Sequence, residues 1–217
     1  MRILRTTLLS VTGLAALITL SPKVAGQQTG AKPAMPAMTQ PMAHGDMMTK
    51  TPMTKAQKIA NAMSAAPSSV SANATILDWP AKEGDQPPVL RAGTNGWTCL
   101  PDMAESPGND PMCLDATWMK WVEAYLAHKP VMATSVGIAY MIAPGGGEAS
   151  NTDPYAMKMT PDNHWGHHAP HMMISVPDTK MLEGLSTDPN NGGPYVMWKG
   201  TPYAHIMAPV TNGMAVK

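Results

Sequence analysis

"YVMWKGTPYAHIMAPV", residues 195–210, decides the fold class. Two short runs of β-forming residues flank "WKGTPY", a segment able to turn the chain, so the spacing predicts an antiparallel hairpin over "YVMW" (195–198) and "YAHIMAPV" (203–210). The same kind of run recurs upstream as "ATILDW" (74–79), "PVLRAG" (88–93), "GWTCL" (96–100), "SVGIAYMIA" (135–143) and "HMMISV" (171–176). A Thr94-Asn95-Gly96 turn separates the second from the third, and "TKMLEGL" between later runs reads as a single helical turn.

One segment breaks the pattern. From Asp115 to His128, Trp118, Met119, Val122, Tyr125 and Leu126 fall on one helical stripe, and the Asp115 carboxylate can cap the first turn. His128 and Lys129 suit the negative helix end, and Pro130 stops continuation. Strands outnumber helices and no βαβ alternation occurs. The expected class is α+β, an antiparallel sheet with one main helix at about 115–128.

The ends of the chain differ in kind. Arg2 and Arg5 precede a thirteen-residue apolar run, Leu8 to Leu20, and Val24-Ala25-Gly26 supplies small residues for cleavage before Gln27. Residues 1–26 therefore read as a signal peptide, and the expected location is periplasmic or secreted. The run falls short of the ~20 apolar residues a membrane span needs, and no later segment qualifies, so the mature chain is expected to lack a span. Residues 27–71 form a Met/Pro/Ala-rich tail expected to be disordered, with a short helix over Lys55 to Ala65 where Ile59, Ala62 and Met63 share a face. Residues 72–217 are then expected to form a single domain.

Loss of the leader leaves 12 basic against 15 acidic residues, and residues 72–217 alone hold 8 against 14. Nucleic acid, which needs a basic face, is disfavoured as a partner. The two cysteines, Cys99 and Cys113, are an even count in an exported chain and point to a disulfide. A pair of thiolates in a metal site is the competing reading.

"RAGTNGWTCLPD", "PGNDPMCLD", "SNTDPYA" and "GGPYVMWKGTPYAHIM" resemble segments of a group of uncharacterised exported bacterial proteins, over about residues 74–210. That resemblance implies no activity. It leaves out the Met-rich tail and the doubled His167-His168.

Chemistry is concentrated in "NHWGHHAPHMM" (163–173). His164, His167, His168 and His171 have helical spacing, but Gly166 and Pro170 argue against a helix, so a loop leading into a strand is expected. Alternation along that strand sets His171 and Met173 on one face, with Met172, Ile174 and Val176 on the other. His205 and Met207 repeat the pattern in the last strand. Two imidazoles and two thioethers on one sheet face form a ligand set soft enough for Cu(I), which His164, His167 or His168 could complete. In the tail, Met35, Met38, Met42, Met47, Met48 and Met53 with His44 offer a second thioether cluster able to wrap a copper ion. The plainer reading is that Met replaces Phe and Leu in the core, since the chain has 21 Met and no Phe.

Enzymatic signals are weaker. The chain has neither a G-x-S-x-G elbow nor an H-E-x-x-H helix. Asp162 with His164, or Asp178 with His171, could form a hydrolytic pair. "GGGEASNTDP" (145–154) reads as an exposed loop, and the six Trp residues could line a small-ligand groove. The expected function is soft-metal binding, with a metal-free ligand or interaction domain as the alternative.

Overall fold

Side-chain alternation lets a sheet bury both faces when helices cover each side, and this chain does so. A computed structural model describes residues 50–82 and 84–210. In chain order the elements are α1 (Lys55–Ser64), α2 (Ser68–Ser71), β1 (Thr75–Leu77), β2 (Val89–Arg91), β3 (Thr98–Leu100), β4 (Gly108–Asn109), β5 (Met112–Leu114) and α3 (Ala116–Leu126). They continue with β6 (Gly137–Met141), β7 (Gly146–Ser150), β8 (Trp165–His168), β9 (His171–Ser175), a tight helical turn at Thr179–Leu182, β10 (Tyr195–Met197) and β11 (His205–Pro209).

Eight strands form the main sheet in the order β10-β11-β9-β6-β5-β3-β1-β2, every pair antiparallel except β1 with β3. The class is α+β, and β10 and β11 pair as the hairpin the sequence predicts. A second sheet, β4-β7-β8, has three strands.

Helix α3 starts where expected. Asp115 Oδ1 accepts from the Trp118 amide at 2.8 Å, while Oδ2 accepts from the Ile138 amide at 2.6 Å, so one carboxylate ties the helix start to β6. His128 ends the helix in the left-handed region at φ 52°, a place glycine usually takes. Trp118 and Trp121 are buried against Leu114, Ala139, Met173 and Met207 on one sheet face.

The opposite face is covered by α1, and here the expected boundary at residue 72 gives way. Thr54 and Gln57 form a capping box that starts α1. Ala62, Ala65 and Ala66 of this segment are buried against Ile76 and the Cys99–Cys113 disulfide. The folded domain therefore takes in α1, whose alanines allow close approach to the disulfide-bearing face. The disulfide joins residues directly opposite each other on β3 and β5. No helix of the described residues is long and apolar enough to cross a membrane.

Two further expectations change. The Gly-rich stretch taken for an exposed loop contains β7, whose Gly147 and Ser150 are buried. The loop expected before β9 contains β8, paired in register with β7 from Trp165 opposite Ser150 to His168 opposite Gly147. Glycine at 146 lets the β8 backbone at His168 approach closely, so pairing wins over local turn preference.

Candidate functional site

His171 and His205 face the same side of adjacent strands, as alternation requires. Met173 and Met207 are directly opposite each other across β9 and β11. His171 is opposite Pro209 on β11 and Met141 on β6. His205 is opposite Met197 on β10, and continuing the β9–β11 register sets it level with Ser175. The two histidines are thus four residues apart along the strand direction, about 13 Å at ~3.3 Å per residue.

That offset separates, along the strand direction, the backbone positions of the two histidines that the sequence reading assigned to one ion. Each imidazole is fixed by its own backbone. His171 Nδ1 lies 2.6 Å from the Ala169 carbonyl and His205 Nδ1 lies 2.9 Å from the Tyr203 carbonyl. A carbonyl can only accept, so both Nδ1 atoms carry the proton and both Nε2 atoms carry a lone pair. Neither Nε2 has a hydrogen-bond partner among the described residues, and both are buried. Burial pushes each ring down to about 4, which keeps both neutral at physiological pH.

A buried, neutral imidazole with Nδ1–H fixed on a carbonyl and a free Nε2 is the arrangement that metal-ligating histidines adopt. Around His205, the indoles of Trp118, Trp121 and Trp198 stand edge-on to the imidazole, with centroids 5.3, 5.5 and 5.1 Å away. Trp198 takes a left-handed φ of 56° to get there. Its amide donates to Asn151 O at 2.9 Å and its indole Nε1 to Ser150 O at 2.8 Å, so the second sheet holds the strained residue in place.

These groups line a cavity of about 290 Å³ between α3 and the sheet. The lining is mainly apolar, and its acidic side chains among the described residues are Asp110 and Glu148. No Lys or Arg among the described residues faces it, so the cavity is suited to cations and unsuited to anions. Asp110 is raised to about 7 by burial, with its hydrogen bond to Asp102 acting in the same direction. Asp102 in turn holds the Lys50 ammonium at 2.6 Å.

The remaining sequence candidates separate. His164 and His167 are exposed and line an outer groove. His168 is buried and committed: its Nδ1 lies 2.7 Å from the Tyr195 hydroxyl and its Nε2 lies 3.4 Å from Ala149 O. Met53 is partly buried just before α1, while Met35, Met38, Met42, His44, Met47 and Met48 lie outside the described residues. Cys99 and Cys113 are oxidised to each other and supply no thiolate.

Sequence reasoning missed Met197, Met141 and Trp198. Their parity was readable, but only the strand order brings them beside the histidines. Among the described residues no group of three or more His, Cys, Asp or Glu is placed to hold a metal ion. Neither hydrolytic pair forms. Asp178 accepts from the Lys180 amide and His171 is tied to Ala169, while Asp162 and His164 are both exposed with no hydrogen bond between them. No protein-family model, curated protein or solved structure matches the chain.

Proposed function

We propose that this protein binds a soft monovalent ion, copper(I) first, through His205 Nε2 with the thioethers of Met197 and Met207. The observation that carries this reading is the buried, unpartnered, neutral Nε2 of His205 set among methionines. Burying an imidazole acceptor without a partner costs about 1–3 kcal/mol, and a Lewis acid supplies the missing partner. Thioethers favour Cu(I) over zinc, calcium or magnesium. The three surrounding indoles, with centroids 5.3, 5.5 and 5.1 Å from the imidazole, keep the His205 Nε2 in an apolar setting. The ion is cargo or ligand, and no chemical step is assigned to it.

An extracytoplasmic setting accords with the leader-like N-terminus and the oxidised cysteine pair. The Met-rich tail offers the same donor class, and we assign it weak auxiliary capture of the same ion.

A second reading has its own support. A mainly apolar cavity of about 290 Å³ lined by Trp and Tyr is large for a bare ion and near the lower end for a small organic ligand. Anaerobic titration of the full chain with Cu(I) against a chromophoric chelator separates the two. The metal reading requires an ion held more tightly than the chelator holds it and lost in His205→Ala. An equal ion count in both proteins favours the organic ligand.

A further inference from the structure

The donors are arranged twice. His171-x-Met173 on β9 runs antiparallel to His205-x-Met207 on β11, with Met173 directly opposite Met207. A local two-fold axis through that Met pair exchanges the strands and their outer neighbours. It carries His205 onto His171, Met207 onto Met173, and Met197, opposite His205 on β10, onto Met141, opposite His171 on β6. Both histidines fix Nδ1 on the carbonyl two residues before them, and both leave Nε2 buried and unpartnered. Whatever His205, Met197 and Met207 can hold, His171, Met141 and Met173 can hold by the same chemistry.

The two positions differ in access. His171 borders both the inner cavity and the outer groove in which His164 and His167 are exposed. His205 borders the inner cavity and not the outer groove. On the same face, the Met173–Met207 pair lies midway, about 7 Å from each histidine by strand rise.

We infer that the protein holds a second soft ion at His171, Met141 and Met173, and that this centre lies on the route by which ions pass from the outer groove across the Met173–Met207 pair to His205. The inference rests on the proposed metal binding and extends it from one centre to two. Thioethers suit such passage because they bind without deprotonation and release without reprotonation.

The test is anaerobic Cu(I) competition on the full chain, comparing ion counts among variants so that the tail contributes equally to all. His171→Ala and His205→Ala should each lose one tightly held ion, and the double variant should lose two, because the centres share no ligand. His171→Met, which returns a soft donor, should restore the count, which a purely structural role of His171 would not do. Met141→Leu conserves volume and should weaken the second centre by at least about tenfold. It also serves if His171→Ala fails to fold. In stopped-flow loading, His171→Ala should slow filling of the His205 centre by about tenfold or more while leaving its affinity nearly unchanged. Loss of the same single ion by both single variants overturns the two-centre inference and leaves the proposed function standing. So does an unchanged count in both His171→Ala and Met141→Leu, and an unchanged loading rate overturns the route. If His205→Ala also loses nothing, the proposed function falls with it.

Discussion

Acid should unfold the metal-free protein, and the reason is the two buried rings. His171 and His205 fall from 6.5 to about 4 on folding because burial disfavours the charged form. Between those values the unfolded chain binds protons that the native state refuses, so stability rises with pH across this window and is lost as pH falls through it. Each ring accounts for ~3 kcal/mol at most, from 1.36 kcal/mol per pH unit. Asp110 works the other way. Raised from 3.8 to about 7, it takes a proton in the native state first, so it favours the fold as pH drops from about 7. Two histidines against one carboxyl leave a net loss on the order of 3 kcal/mol between pH 6.5 and 4, a large part of a typical 5–15 kcal/mol. Urea unfolding of chelator-treated protein at pH 7 and pH 4.5 measures it, and the midpoint should fall clearly at the lower pH. Asp110→Asn removes the opposing group and should steepen the fall. Equal midpoints at the two pH values, or a higher one at pH 4.5, would refute the assignment of neutral buried imidazoles.

Other changes follow from particular contacts. Cys99→Ser with Cys113→Ser should cost about 3 kcal/mol, the loop-closure value for roughly 15 residues, read as a lower melting temperature with the fold retained. Gly93→Ala should destabilise more than a surface change does, because a Cβ there runs into the Ala74 and Thr75 backbone; a variant melting with the parent would contradict this packing. Deleting residues 27–48 should reduce weakly held copper in equilibrium dialysis while leaving the tight ions and the unfolding midpoint unchanged, since their composition lacks the aromatic and β-branched aliphatic residues a core needs.

Legibility in the sequence followed how local each signal was. Helix α3 was readable because its cap, its stripe and its terminating Pro130 lie within one segment. β9 and β11 were readable through alternation over five residues. β5 was not, because three residues between Pro111 and Asp115 are too few to show a period. β7 and β8 carry glycines and histidines that locally favour turns, and only their mutual pairing makes them strands. The packing of α1 is hidden in the sequence because Ala62, Ala65 and Ala66 resemble tail composition until they are seen against the disulfide. For the site, parity gave the correct shared face for His171, Met173, His205 and Met207. Register did not follow from parity, since a pair can slide by two residues without changing which face a side chain takes. The four-residue offset between the histidines is a property of strand pairing.

Copper-edge X-ray absorption on protein loaded with Cu(I) tests the central claim most directly. The account predicts a first shell of nitrogen and sulfur scatterers, and one tightly held copper fewer per chain in His205→Ala. A shell of nitrogen and oxygen alone, unchanged by that substitution, would contradict it.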